Sequence, residues 1–177
     1  MPPSFAVDFT DFDHKMFTAM EVIGVRVEMP SNQPIVLLKE KDGSRFLPIW
    51  VGAGEATAIA FAQQGILPPR PLTHDLMRDL VEALDAVVTS VHLTELKDGV
   101  FYATVNMRTS SSQTMNISAR PSDAIALALR THSNILAAPE LLETAGIEIS
   151  TGDGDENQEV ERFKEFLEQI NPEDFIA

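Results

Sequence analysis

Residues 35–65, IVLLKEKDGSRFLPIWVGAGEATAIAFAQQG, decide the fold class. Two short apolar runs, Ile35 to Leu38 and Arg45 to Val51, flank Lys41-Asp42-Gly43-Ser44. Asp-Gly tolerates the positive φ that tight hairpin turns require, so this pattern predicts a pair of antiparallel strands. After Gly52 and Gly54 the texture turns Ala-rich and helical, with Gly65 placed as a C-cap and Pro68-Pro69 as a stop. Strands joined by a hairpin and then a helix packed on them point to an α+β fold.

The same alternation of signals continues on both sides. Upstream, Ile23, Val25, Val27 and Met29 alternate with Gly24, Arg26 and Glu28, the period of two expected of a half-buried strand beginning near Met20. Pro30 and Pro34 bracket the turn that follows. Downstream, a second helix is expected to open at Thr73 as its N-cap, with Leu76, Leu80 and Leu84 beside Met77 and Val81 as one apolar stripe. Val87 to Leu96 and Val100 to Met107 flank Lys97-Asp98-Gly99, a second hairpin, and Thr114 to Ser118 reads as another short strand. A third helix starts at Arg120-Pro121-Ser122-Asp123, and its body AIALALR is apolar almost all round, which predicts burial. Asn134 to Ala137 reads as a strand and Pro139 to Ala145 as a short helix capped by Gly146.

The expected organisation is a loosely ordered segment over 1–18, one domain over 19–149, a linker over 150–155 and an acidic amphipathic helix and tail over 156–177. In that last segment Val160, Phe163, Phe166, Leu167 and Ile170 share a face. The fold class is α+β, with mostly antiparallel strands, three core helices and the C-terminal helix.

Composition narrows the function classes. The chain has no cysteine, which removes disulfides, thiolate catalysis and Cys-based zinc sites. No stretch approaches the ~18 apolar residues of a membrane span, and the start carries no secretory pattern, so a cytoplasmic protein without membrane contact is expected. Net charge is −14, and residues 153–177 carry −7 of it. A broad basic face for a polyanion is therefore excluded, and any nucleic-acid contact has to be local or metal-mediated.

Polar groups concentrate beside glycine or proline at three element boundaries. Trp50-Val51-Gly52-Ala53-Gly54-Glu55 places Glu55 in a first helical turn, where it complements the helix dipole. Its glycine spacing fits neither a dinucleotide fingerprint nor a P-loop. Arg70-Pro71-Leu72-Thr73-His74-Asp75 puts an imidazole and a carboxylate about 100° apart at a helix start, able to serve one cavity or simply to begin the helix. Arg120-Pro121-Ser122-Asp123 sets an arginine beside free helix N–H groups, which suits an anion, or caps a buried helix.

Taken in order, LPIWVGAGEATAIAFAQQG (47–65), RPLTHDLMRDLVEALDAVV (70–88), FYATVNM (101–107) and ARPSDAIALALRTHSNILAAPELLETAGI (119–147) resemble the bifunctional nuclease domain, a small family of bacteria and plants. The resemblance runs from about Met20 to Gly146, and the NPEDF ending resembles the tail of many bacterial members. It implies an α+β fold, oligomerisation, and cleavage of both DNA and RNA; a dimer is favoured because Val160, Phe163 and Leu167 of the C-terminal helix offer an apolar face to their own domain or a neighbour's. The matching polar positions are Glu55, Arg70, His74, Asp75, Arg120, Ser122 and Asp123. Ser118 stands where the family commonly has Asp, which removes one potential ligand.

On that reading the bland polar residues acquire chemistry. Glu55, Asp75 and Asp123 are hard oxygen ligands suited to Mg²⁺ or Mn²⁺. His74, with Asp75, Glu55 and Arg120, forms the catalytic set, His74 acting as general base or acid and Arg120 meeting phosphorane charge. Arg70, Arg120 and Ser122 would bind substrate. The alternative is a non-catalytic oligomeric interaction or ligand-binding module, in which the three motifs are caps and packing signatures.

Overall fold

The computed structural model describes residues 17–148. Within them lie β1 (Thr18–Glu28), β2 (Gln33–Glu40), β3 (Arg45–Trp50), α1 (Ala53–Gln64), α2 (Thr73–Ala83), β4 (Val87–Lys97), β5 (Val100–Arg108), β6 (Thr114–Ala119), α3 (Pro121–Thr131), β7 (Asn134–Ala137), α4 (Pro139–Ala145) and β8 (Ile147–Glu148). The α+β expectation holds. The expected linker and acidic helix, and most of the segment over 1–18 expected to be loosely ordered, lie outside the described residues.

All eight strands form one sheet in the order β6-β5-β4-β7-β1-β2-β3-β8. Two antiparallel meanders, β1-β2-β3 and β4-β5-β6, are joined at the centre by β7. That four-residue strand runs parallel to β4, with Val91 opposite Ile135, and antiparallel to β1, with Met20 opposite Ile135. The β4–β5 turn is as expected: Asp98 and Gly99 have φ of 52° and 73°, the two positive values of a two-residue hairpin.

Alternate residues of the strands supply one core. Val36 and Leu38, Leu47 and Ile49, Val91 and Leu93, and Val105 and Met107 face the helices and pack with Ile59 of α1, Ile125 of α3 and Leu141 and Leu142 of α4. α3 is buried from Pro121 through Ala128 except at Asp123, as its composition requires. Ile35, Leu37 and Phe46, out of phase with that set, form a smaller cluster with Trp50.

Two features of α2 depart from expectation. Its N-cap is Leu72 rather than Thr73, and the Leu72 N–H is satisfied by the Asp75 carboxylate at 2.9 Å, one half of a capping box. Its leucines face outward: Leu76, Leu80 and Leu84 are 51%, 55% and 74% exposed. Met77 and Val81 lean on the core instead, and His74 is buried. The polar anchors of α2, described below, set its rotation and leave the leucine stripe in solvent. Gly146 caps α4 as expected, in an extended conformation. Among the described residues no helix is long and apolar enough to cross a membrane.

Candidate functional site

The site is built where three helices begin. Gly52 caps α1 in an extended conformation and Glu55 occupies its first turn. A Cβ on Gly52 would collide with the Glu55 carboxylate, so the glycine is what lets that side chain fold back over the helix start. On α3, Arg120 is the N-cap, proline follows at the first position and Asp123 completes the first turn. The Arg120 guanidinium donates from Nε to Asp123 Oδ2 at 2.7 Å and from Nη2 to Glu55 Oε1 at 2.9 Å, tying the starts of α1 and α3 together. His74 Nε2 lies 3.0 Å from Asp123 Oδ1, which adds α2. Glu55, Arg120, Asp123 and His74 thus form one continuous hydrogen-bonded chain.

Asp123 and Arg120 hold each other in their charged forms. Burial works to raise the Asp123 carboxyl, but hydrogen bonds from Arg120 and then His74 outweigh it and hold the group below the usual carboxylate range. An ionised carboxylate only accepts, so His74 donates to it from Nε2–H, and Nδ1 is the ring nitrogen left over. The Asp123 hydrogen bond and then its charge raise the Arg120 guanidinium above its ordinary value, keeping it cationic. Arg120 uses two of its five N–H donors on these carboxylates, and the side chain is 67% exposed.

Asp75 takes another partner. Its Oδ1 accepts from Arg130 Nε at 2.6 Å and its Oδ2 from the Leu72 N–H. Burial again works upward on this carboxyl, and Arg130 and the Leu72 amide overcome it and lower it. Asp123 and Arg130 are seven residues apart on α3, two helical turns, so His74 and Asp75 reach two rungs on the same face of that helix. Sequence reading missed Arg130. The available signal was a lone cation ending the apolar run AIALALR, which had to find a buried counter-charge.

The remaining expected residues fall around this chain. Ser122 is buried in the first turn of α3. Arg70 is exposed in the loop before α2, with no ion-pair partner among the described residues. Ser118 lies on the edge strand β6 opposite Thr104.

The carboxylates do not fit a resident divalent cation as they stand. Such an ion needs oxygen ligands converging on one point. Among the described residues no three His, Cys, Asp or Glu side chains are grouped to hold a metal. Asp75 faces Arg130, and Glu55 and Asp123 share Arg120 between them.

Comparison with known proteins agrees with the resemblance read from the motifs. The family model described as "Bifunctional nuclease domain" matches residues 36–150. An uncharacterized protein of Mycobacterium tuberculosis is 46% identical over 164 residues, spanning 89% of this chain and 98% of that protein. Bifunctional nuclease 1 of Oryza sativa subsp. indica is 29% identical over 98 residues, 54% of this chain and 30% of the rice protein. With well over half of its length and all three helix starts inside the match, the chain belongs to the bifunctional nuclease domain family.

Proposed function

We propose that the chain hydrolyses phosphodiester bonds of DNA or RNA at the Glu55–Arg120–Asp123–His74 site. The observation that carries this reading is the hydrogen-bonded chain itself: a base oriented by a carboxylate, next to an exposed guanidinium at a helix N-terminus. Membership in a family named for nuclease activity supports it.

In this reading His74 Nδ1 takes a proton from water as the water oxygen bonds to phosphorus, and Asp123 stabilises the imidazolium that forms. The unused Arg120 donors hold two non-bridging oxygens and meet the charge that grows in the transition state. The P–O bond to the leaving oxygen breaks, and that oxygen takes its proton from solvent. Glu55 keeps Arg120 in place. Arg70 is a second phosphate contact, and Ser122 a substrate contact from the helix start. Asp75 serves as a strut between α2 and α3.

Cleavage of fluorescent single-stranded DNA and RNA by protein freed of contaminating nucleases tests this, with His74→Ala as control. Loss of about 10²-fold or more in His74→Ala is expected; equal activity in the two proteins refutes the assignment.

One observation favours an interaction role alongside catalysis. The outward leucine stripe of α2 supports the oligomer that the family resemblance implies, with a homodimer as the favoured form, in the cytoplasm. Light scattering of Leu76→Glu with Leu80→Glu tests it: a monomer is expected where the unaltered chain is a dimer.

A further inference from the structure

We infer that Arg120 holds the place a divalent cation would take between Glu55 and Asp123, so that this site binds no metal tightly. The inference rests on the hydrolytic reading only for its consequence, catalysis that continues without Mg²⁺ or Mn²⁺. The binding claim stands on geometry alone.

Five of the six carboxylate oxygens already accept a hydrogen bond. Asp123 accepts from His74 on Oδ1 and from Arg120 on Oδ2, and Glu55 accepts from Arg120 on Oε1. Asp75 spends both oxygens on Arg130 and the Leu72 amide. Among the described residues only Glu55 Oε2 of these carboxylate oxygens has no donor, and it lies against Gly52. A cation ligated by Glu55 and Asp123 would have to expel a guanidinium bonded to both and also compete with His74 for Asp123. Mg²⁺ binding demands near-octahedral oxygen geometry and loses water reluctantly, so one free carboxylate oxygen is a poor exchange.

The chemistry a metal supplies is covered by groups already present. Charge neutralisation at phosphate comes from Arg120, whose planar fork retains three N–H donors after the two carboxylates are served. Nucleophile activation comes from His74 with its Asp123 partner.

The test reads Mn²⁺ uptake by electron paramagnetic resonance on full-length, chelator-treated protein, with Glu55→Gln and Asp123→Asn for comparison. No uptake that depends on Glu55 or Asp123 is expected. Uptake that both variants retain belongs elsewhere on this acidic chain and agrees with the inference. Uptake at stoichiometric Mn²⁺ in the unaltered chain, lost in either variant, overturns it. In parallel, cleavage of a fluorescent oligonucleotide in excess EDTA is expected to stay within about two-fold of the rate without it. Activity abolished by EDTA and restored by Mn²⁺ also overturns the inference. No cleavage in either buffer, with no site-dependent uptake, refutes the hydrolytic reading while leaving Arg120 as the occupant of the cation position.

Discussion

Replacing Asp75 separates a strut from a catalytic group. The Asp75 and Arg130 side chains are only 13% and 6% exposed and meet at 2.6 Å, linking the first turn of α2 to the last turn of α3. Truncation to alanine leaves Arg130 charged, buried and without its counter-ion. It also removes the acceptor of the Leu72 N–H. Breaking a buried pair on one side costs about 3–5 kcal/mol, most of it the stranded charge. For a chain of this size that corresponds to a fall in Tm of roughly 6–20 °C.

Urea unfolding followed by circular dichroism measures the loss. Asp75→Asn is expected to remain nearly as damaging, because it restores an acceptor for the amide but not the charge facing Arg130. Asp75→Leu combined with Arg130→Met is expected to recover most of the loss, since an apolar pair of similar volume has no desolvation penalty. An Asp75→Ala cost below about 0.5 kcal/mol, or a double variant no better than the single one, refutes the argument. Activity completes the separation. At a temperature where Asp75→Asn is folded it should cleave substrate like the unaltered chain, and lost cleavage with unchanged stability would make Asp75 a participant in the reaction.

Gly52→Ala tests the positioning of Arg120 without altering any charge. Its Cβ displaces the Glu55 carboxylate, and a fall of roughly ten-fold in kcat/KM with little change in Tm is expected, whereas unaltered kinetics would show that Glu55 does not steady Arg120. Asp75 and Asp123 have carboxyls held below their unfolded values. Their contribution is therefore complete above about pH 4 and disappears as pH falls through the lower folded values, so acid unfolding should set in below about pH 4 and be less steep in Asp75→Asn. Ionic strength probes the size of the phosphate grip: with Arg120 and Arg70 as the contacts, log K for single-stranded DNA should fall with log salt at a slope of about −0.7 to −1.4, and a slope beyond about −4 would refute so small a contact set.

The parts of the fold that short-range chemistry dictates were legible. Asp98-Gly99 announced its hairpin because few other pairs accept two consecutive positive φ values. Gly65 announced the end of α1 by the same logic, with φ of 66°. The central place of β7 was not legible, because Asn134–Ala137 says nothing about which strands flank it or that one of them runs parallel. The stripe of α2 misled for a definite reason. Periodicity shows that a helix is two-faced, but here His74–Asp123 and Asp75–Arg130 determine which face turns inward. The family motifs gathered the site residues in one list, and the structure joined Glu55, His74, Arg120 and Asp123. It sent Asp75 to Arg130, which lies inside a family stretch but outside the polar positions singled out from it.

That division bears on how so acidic a chain could hold a polyanion. Each of the three helix starts has a carboxylate in its first turn, Glu55, Asp75 and Asp123, answering the partial positive charge of unpaired N–H groups. Because these carboxylates also engage Arg120 and Arg130, the site is close to neutral rather than strongly basic. A ground-state phosphodiester, with one charge, gains little there. A phosphorane transition state carries more negative charge on the oxygens facing Arg120 and gains more, which is the difference that accelerates a reaction. On the hydrolytic reading the acidity of the chain weakens binding of substrate and product alike, raising KM, while leaving intact the part of the interaction that grows only as phosphorus is attacked. His74→Ala should then lower kcat with little change in KM, and Arg70→Ala should raise KM with little change in kcat.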